Sequence, residues 1–528
     1  MNGIVECKGL EKFEHRGFKV LYKGSIENKQ ELRDWLLEEG YTLNGEKDIE
    51  LVAYIIDYLY NGNLTEATRK AQRKIKGSYG FAITNASKAE VVATSNNHPL
   101  VIGLGDKQNF IAFDLSSLLS YTKKCCLINN GEICILTPEN IVIVSPTGEV
   151  INKEEFQVSW DGTMDKGKFE HFMLKEIYEQ PDGFKTNLSG RIKNNKVKIE
   201  GLELTLEIVK SWKKIAIVAC GTSYHAGLIG KGVFENLLHI PVEVEIASEF
   251  SYRAPLVDEE TLVIVISQSG ETADTLVALR EAKKKGASVL AITNTLNSTI
   301  NREADYGVYI WSGPEIAIAS TKAFTMMLLA EYLLGIYLGQ IKGSISEEKA
   351  NMLLENIYKL PETASKILAE ATQYQKIAEK YYQKENAFFI GRGFDWPISL
   401  EGALKLKETS YIHAEGYAAG EFKHGSLALV TEETLMVALC VQQSTYEKTL
   451  ANVKECKARG AQILALALEG DKEVAKIADD VIYIPRINNF VAPILTVIPL
   501  QLLAYYISKA RGCSIDQPRN LVKSIVIE

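Results

Sequence analysis

The feature that most constrains this chain is an internal repeat. The same order of apolar segments occurs twice, beginning with IAIVACG at Ile215 and again with AFFIGRG at Ala387. GASVLAITN at Gly286 is matched by GAQILALAL at Gly460, at nearly the same offset along the chain. Because a repeat of this length spans a whole supersecondary arrangement, the sequence predicts two tandem copies of one folding unit.

Within each copy, short apolar runs alternate with stretches of helical periodicity. KIAIVACG, TLVIVISQSG and ASVLAITN have the continuous apolar character of strands buried on both faces of a parallel sheet. Such strands alternating with helices indicate an α/β class and a doubly wound sheet in each copy.

The rest of the chain divides around these copies, since 528 residues are too many for one core. The N-terminal part has shorter strands and a few helices, which predicts a mainly antiparallel α+β domain. We expect an N-terminal domain at 1–182, a polar linker at 183–202, the first copy at 203–346, a helical connector at 347–385, the second copy at 386–518 and a C-terminal tail at 519–528.

Composition excludes several classes of function. A net charge of -8 argues against nucleic acid or an anionic membrane as the main partner. The N-terminus has no apolar signal segment, and the uncharged stretch 491–508 contains two prolines and a glutamine, so we interpret it as a buried helix. Eight cysteines without metal-ligand spacing favour reduced thiols and a cytoplasmic location.

Two loops of the first copy have the character of anion sites. CGTSYHAG and SQSGETADT each follow a predicted strand and open a predicted helix, where free backbone N–H groups and the helix dipole attract a phosphate. Ordinary helix capping by Ser and Thr is the alternative. A third loop, ASTKAFT, could close over the same site, whereas the second copy has GRGFDWP and CVQQSTY in these places. The candidate ligand-binding residues are Cys220, Gly221, Thr222, Ser223, Ser267, Gln268, Ser269, Thr272 and Ser320.

The second copy contributes charged residues in EGALKLKETSYIHAEGYAAGEFKHG. Glu401, Lys405 and Glu408 have the spacing that places them on one helical face. A solvated, salt-bridged surface helix is the alternative, but the glycine-rich segment with His424 that follows favours a functional site.

The C-terminal tail, DQPRNLVKSIVIE, places Lys523 among apolar residues. A lysine withdrawn from water loses its proton more readily, and a neutral amine is what imine formation with a ketone needs. A solvent-exposed tail lysine is the alternative.

Together these motifs resemble the glucosamine-6-phosphate synthases, the glutamine–fructose-6-phosphate aminotransferases, over nearly the whole chain. The resemblance identifies the two copies as sugar-isomerase (SIS) domains and implies no metal and no organic cofactor. It implies that Lys523 forms a Schiff base with C2 of open-chain fructose 6-phosphate and that Glu408 moves a proton between C1 and C2. It further implies that His424 assists ring opening, often from a neighbouring subunit of a homodimer, and that Lys405 and Glu401 support the chemistry.

The first domain resembles the glutaminase of this family, an N-terminal-nucleophile hydrolase, but in truncated form. The family has a cysteine after the initiator methionine, where this chain has Asn2, which carries no nucleophilic atom. Lys23 replaces the oxyanion-hole asparagine beside Gly24, and the segment that binds glutamine between EHRGF and VLYKGSIEN is absent. Asp48 alone remains of the substrate clamp, so the sequence predicts no glutaminase activity.

Three functions remain open on the sequence. The first is an aminating isomerase that makes glucosamine 6-phosphate with free ammonia. The second is a deaminase of an amino-sugar phosphate or a simple ketose/aldose phosphate isomerase. The third is a non-catalytic sugar-phosphate sensor, which would need the phosphate loops but not Lys523, Glu408 and His424.

Overall fold

The computed structural model divides the chain into two compact units, with the boundary between residues 164 and 165. This boundary differs from the expected one at residue 182. The structure describes residues 10–43, 45–85, 90–96, 100–105, 108–113, 116–118, 121–122, 124–128, 131–137, 140–153, 156–157, 165–199, 202–295 and 298–523.

The first unit is mainly antiparallel, as the short strands of the sequence predict. Its elements are β1 (Glu11–His15), β2 (Phe18–Ile26), α1 (Lys29–Glu38), α2 (Asp48–Leu59), α3 (Leu64–Lys74), β3 (Gly77–Asn85), β4 (Val91–Asn96), β5 (Val101–Leu104), β6 (Asn109–Ala112), β7 (Lys124–Leu127), β8 (Ile133–Leu136), β9 (Ile141–Val144), β10 (Val150–Ile151) and β11 (Phe156–Gln157). One sheet has the order β1-β2-β3-β4-β8-β9-β10 and the other β11-β7-β5-β6. Helix α2 covers the first sheet with Ile49, Val52 and Ile56, all fully buried.

The second unit begins with elements that pack onto the first repeat. These are α4 (Phe172–Tyr178), α5 (Gln180–Leu188), the hairpin β12 (Ile192–Lys193) and β13 (Lys196–Val197), and α6 (Leu206–Ser211). Phe184 is buried, and the Asn187 amide donates to the Ile310 carbonyl at 2.7 Å. In the described part of the predicted linker, 183–199, the chain therefore forms the end of α5 and a hairpin that pack onto the protein.

The two repeats share five strands with a helix after the first, third and fifth, and the first repeat has two further short helices, α8 and α10. The first contains β14 (Lys214–Ala219), α7 (Gly221–Leu238), β15 (Val242–Ile246), α8 (Ala247–Phe250), β16 (Thr261–Ser267), α9 (Ala273–Lys284), β17 (Ser288–Thr293), α10 (Thr299–Glu303), β18 (Tyr306–Tyr309) and α11 (Lys322–Lys342). The connector is helical, as predicted, with α12 (Glu347–Tyr358), α13 (Leu360–Ala369) and α14 (Ala371–Tyr381). The second contains β19 (Asn386–Gly391), α15 (Asp395–Ser410), β20 (His413–Ala418), β21 (Leu435–Cys440), α16 (Tyr446–Lys457), β22 (Gln462–Leu468), β23 (Asp480–Ile484) and α17 (Pro493–Ala510).

Both repeat sheets are parallel and have equivalent strand orders. The first is β15-β14-β16-β17-β18 and the second β20-β19-β21-β22-β23, which confirms the tandem α/β prediction. In this order the chain reverses direction across the sheet between β14 and β16. Ligands of doubly wound sheets bind at that switch point, outside the carboxyl ends of the strands.

Two apolar helices, α11 and α17, form the centre of the second unit. Both are long and apolar enough to cross a membrane by length and composition, but 83% of each apolar window is buried inside the protein. Helix α17 covers most of the stretch 491–508, so the interpretation of that stretch as a buried helix is confirmed. Helix α11 packs against α7 and α5, and α17 packs against α15.

Candidate active site

The switch point of the first repeat is lined by the two predicted anion loops. Cys220 follows β14, and Gly221 has a φ of +53°, so α7 begins with a sharp turn that leaves its first N–H groups free. Ser267 is the last residue of β16. Its hydroxyl lies 2.8 Å from the Thr272 hydroxyl and accepts the Gly270 N–H at 3.0 Å. The two loops therefore follow adjacent strands, β14 and β16, at the switch point of the sheet.

Tight folding of the second loop depends on Gly270. Its φ is +68°, and a Cβ there would lie 2.0 Å from the Ser298 hydroxyl. Ser269 accepts the Glu271 N–H at 3.2 Å, and the Gln268 carbonyl accepts the Asn294 N–H at 3.1 Å. These bonds, one within the loop and one from Asn294 after β17, hold the loop in this conformation.

Ser320 lies in the loop that joins β18 to α11. Its hydroxyl oxygen is buried and has no hydrogen-bond partner among the described residues. An unpaired buried hydroxyl is costly, and a bound ligand is one way to satisfy it. Ser320 therefore suits the ligand role that the sequence predicts.

Helix α15 carries a buried ion cluster. Lys405 Nζ lies 2.6 Å from Glu408 Oε2 and 3.4 Å from Glu401 Oε1. The side chains of Lys405 and Glu401 are 1% and 0% exposed and that of Glu408 is 20% exposed, which rules out the alternative of a solvated surface helix. Burial alone lowers the pKa of Lys405, but the charges of Glu408 and Glu401 outweigh it, and the pKa rises above its ordinary value.

This cluster contacts the first turn of α7, so the two repeats contribute to one site. Thr222 Oγ1 donates to Glu401 Oε1 at 3.0 Å and accepts from Lys405 Nζ at 3.2 Å. His225, one turn further along α7, lies with Nδ1 2.7 Å from Glu401 Oε2. Sequence reasoning missed His225, although its three-residue spacing from Thr222 places both on one face of the helix.

Lys523 lies beside the Ser320 loop, but it is not surrounded by apolar groups alone, as the tail sequence suggested. Its Nζ donates to Glu315 Oε2 at 2.6 Å and to the Ala317 carbonyl at 2.7 Å. The Glu315 side chain is 0% exposed and that of Lys523 is 24% exposed. The amine is thus held by a buried carboxylate, while the lysine side chain stays partly exposed.

The tail that carries Lys523 is anchored at two places. The Asp516 carboxylate accepts the N–H groups of Phe172 and Met173, each at 3.0 Å, and so caps the start of α4. Further along, the Arg519 guanidinium lies 4.2 Å from the centre of the Tyr411 ring. These contacts fix the path of the tail toward the Ser320 loop.

Three polar residues at or between α4 and α5 contact the Ser320 loop and the start of α11, and sequence reasoning missed all three. Glu176 Oε1 accepts the N–H groups of Ile316 and Ala317, at 2.5 and 3.2 Å. Glu179 pairs with Lys322 at 2.6 Å, and Gln180 accepts the Thr325 hydroxyl at 2.8 Å. The available signal was the run KEIYEQP, where acids and an amide stand three and four positions apart on one helical face.

Among the described residues His424 is brought neither to the Lys405 cluster nor to the loop that holds Lys523. It lies in the short 3₁₀ turn Phe422–His424 and is exposed. Within the described residues no hydrogen bond or ion pair joins its imidazole to Lys523, Glu408 or the phosphate loops.

The predicted remnants of the glutaminase site lie in the first unit. Lys23 and Gly24 are in β2 and pair with β3 as ladder residues. Asp48 begins α2, accepts the Ile26 N–H at 2.8 Å and lies 2.5 Å from Lys29 Nζ, so its carboxylate has structural partners. Asn2 lies outside the described residues.

Comparison with known proteins agrees with this architecture. The SIS domain family matches residues 208–337 and 380–508, and a glutamine amidotransferase domain family matches residues 10–120. Glutamine–fructose-6-phosphate aminotransferase (isomerizing) of Clostridium tetani is 46% identical over 512 residues, 96% of this chain and 84% of the relative. The corresponding protein of Thermus thermophilus is 43% identical over 510 residues, with the same shares covered. The chain belongs to the glutamine–fructose-6-phosphate aminotransferase family.

Solved structures resemble the second unit. The C-terminal domain of glucosamine-fructose-6-phosphate aminotransferase from Francisella tularensis has a TM-score of 0.64 at 38% identity and covers 67% of this chain and 100% of that domain. Glucosamine-6-phosphate deaminase from Thermotoga maritima has a TM-score of 0.52 at 27% identity, with 67% and 99% covered. An enzyme named as an aminotransferase and one named as a deaminase thus share the architecture of this aminotransferase family member.

Proposed function

We propose that this aminotransferase family member converts fructose 6-phosphate and free ammonia to glucosamine 6-phosphate and water in the cytoplasm. The observation that carries the proposal is the contact of Thr222, on the phosphate-loop helix, with both Glu401 and Lys405 of α15. It joins an anion site to a buried acid–base cluster within one unit. Lys523 donates a hydrogen bond to a third loop of the first repeat, and Ser320 lies in that same loop.

The chemistry follows from these positions. The loops at Ser267 and Thr222 and the hydroxyl of Ser320 bind the phosphate and sugar hydroxyls. The Lys523 amine forms an imine at C2 of the open-chain ketose and releases water, which makes the C1 hydrogens acidic. Ammonia then displaces the lysine from C2, and Glu408 carries a proton from C1 to C2, so that C1 becomes the aldehyde and C2 bears the amine.

Free ammonia is the proposed nitrogen source because the glutaminase half lacks its chemical groups. Asn2 cannot act as the nucleophile, and Lys23 stands where an oxyanion-hole asparagine is needed. Asp48 is engaged by Ile26 and Lys29. A shortened domain also agrees with alignments that cover 96% of this chain but 84% of its relatives.

Deamination of glucosamine 6-phosphate is the second candidate. It uses the same imine and proton-transfer groups in the reverse direction, and the Thermotoga maritima deaminase has the same fold. A sensor without catalysis is disfavoured because a sensor has no need for the buried Lys405 cluster or for the lysine at Glu315.

A homodimer with a shared site completes the proposal. His424 is exposed and so is Leu429, at 59%, in the turn that follows it. An exposed imidazole beside an exposed leucine suits a surface that enters the site of a second copy. Gel filtration combined with an activity assay tests this: we expect activity to elute with the dimer, and a fully active monomer would contradict it.

Borohydride trapping tests the imine directly. Reduction in the presence of fructose 6-phosphate is expected to attach the sugar to Lys523, detected as a mass increase on the C-terminal peptide. Lys523→Ala should abolish the adduct, whereas Lys509→Ala, which removes an exposed lysine paired with Glu170, should keep it. Equal adduct on Lys523→Ala and the parent would remove Lys523 from the mechanism.

A further inference from the structure

Glu315 is the only carboxylate within ion-pair distance of Lys523 among the described residues. It lies in the loop before α11, in an apolar run, and its side chain is fully buried. Its Oε1 accepts the N–H groups of Thr321 and Ala323, at 2.8 and 3.0 Å, while Oε2 faces Lys523 at 2.6 Å. One oxygen is therefore fixed by the backbone at the start of α11, and the other is aimed at the amine.

We propose that Glu315 is the proton acceptor and donor for Lys523 during imine formation, a role that rests on the proposed function. In the resting enzyme the carboxylate faces an ammonium, which has no lone pair for attack. Transfer of one proton from Nζ to Oε2 gives a neutral amine in contact with a neutral carboxylic acid. The two atoms are 2.6 Å apart, within hydrogen-bond distance, so the proton has a direct path from one to the other.

The remaining steps return that proton without a co-reactant. The Nζ lone pair attacks C2, the C2–O π electrons move to oxygen, and Glu315 gives its proton to that oxygen. Nζ then loses a second proton to Glu315, its lone pair expels the hydroxyl, and Glu315 protonates the departing oxygen as water. The ammonium and the ketone have become a protonated imine and water, and Glu315 is again a carboxylate facing a positive nitrogen.

Charges on several elements act on this pair and bear on its pH dependence. Glu176 on α4 is buried beside Glu315, and the charge of Lys322 on α11 lowers the pKa of Glu176. The charge of Glu315 raises the pKa of Lys405 on α15. Burial raises the pKa of Glu315, but the charge of Lys523 and its hydrogen bond lower it more, so the carboxylate form prevails. Burial and the charge of Glu315 raise the pKa of Glu176 to about 8. The raised pKa favours the neutral form of Glu176 beside the Glu315 carboxylate.

Glu315→Gln is the sharpest test because it is nearly isosteric. The amide oxygen can still accept the Thr321 and Ala323 N–H groups, but it cannot carry a proton. Loss of general acid–base catalysis is expected to slow the rate of imine trapping about 100-fold at every pH between 6 and 9. Affinity for fructose 6-phosphate should stay within a few-fold of the parent. The surface pair offers the control, because Glu170→Gln removes the carboxylate that faces Lys509 and should leave the rate unchanged.

The outcomes separate this role from a purely electrostatic one and from the function itself. If Glu315 only holds the ammonium, Glu315→Gln will shift the pH profile to lower pH and keep the limiting rate, which would overturn the proposal. No adduct on the parent at any pH would overturn the proposed function, and the role of Glu315 with it. If the glutamine variant does not fold, Glu315→Asp serves instead: a shorter carboxylate should give a slower limiting rate on an unshifted profile, and a parental rate would overturn the proposal.

Discussion

Single residues show where local sequence patterns stop being informative. The spacing of Glu401, Lys405 and Glu408 predicted their common helical face, and the structure brings them together. Glu315 was missed because its partner, Lys523, is 208 positions away, and an acid within GPEIAIAS has no local sign of pairing. Glu176 was missed for the same reason, since its partners are backbone N–H groups of that distant loop.

Lys405 tests the energetics of the buried cluster. Lys405→Met leaves Glu401 buried without its cation, and breaking a buried ion pair in this way costs about 3–5 kcal/mol. We expect urea unfolding of the second unit to shift accordingly to lower denaturant. Adding Glu401→Gln to Lys405→Met should recover part of the loss, because the uncompensated charge is then gone.

The matched control is the exposed pair Glu362–Lys366, which has the same four-residue spacing as Glu401–Lys405. Lys366→Met should change the urea midpoint little, since solvent screens exposed pairs. Equal shifts for Lys366→Met and Lys405→Met would show that burial does not govern the Lys405 cluster.

At the scale of elements, the alternation of apolar strands and helices allowed both repeats to be predicted, because buried parallel strands are nearly all apolar. The helix and hairpin within 183–199 were not predicted, because short helices and two-residue strands leave no periodic signal. Helix α11 holds a further feature that periodicity could not show. It buries Glu331 against Gly230 of α7, where a Cβ would lie 2.3 Å from Glu331 Oε1.

Glu331 predicts a pH dependence of stability. Both its carboxylate oxygens are buried without a hydrogen-bond partner among the described residues, and burial raises its pKa well above the ordinary glutamate value. Between those two pKa values the folded protein binds more protons than the unfolded chain, so stability falls as pH rises from the ordinary glutamate value. Burial also raises the pKa of Asp395, to about 7, which adds a contribution of the same sign.

Thermal melting at several pH values between 5 and 8 measures this effect. The fall in melting temperature with rising pH should be smaller in Glu331→Gln than in the parent, because the amide does not titrate. Glu355→Gln, on the exposed side of α12, should behave like the parent. An unchanged slope in Glu331→Gln would show that Glu331 does not carry the proton.

At the scale of the whole molecule, the sequence predicted the tandem repeats and the different residues that each repeat contributes. A repeat with phosphate loops in one copy and a charged helix in the other implied that both serve one site, and the Thr222–Glu401 contact joins them. The shared site of a homodimer stays a prediction, which rests on the exposure of His424. The predicted loss of glutaminase chemistry rests on the identity of residues such as Asn2.

The most direct test is formation of glucosamine 6-phosphate from fructose 6-phosphate, with ammonium and with glutamine supplied separately. The account predicts product with ammonium and none with glutamine, and no product with ammonium from Lys523→Ala. Product from glutamine at a comparable rate would contradict the loss of glutaminase function. Absence of product from both nitrogen sources would contradict the aminating function itself.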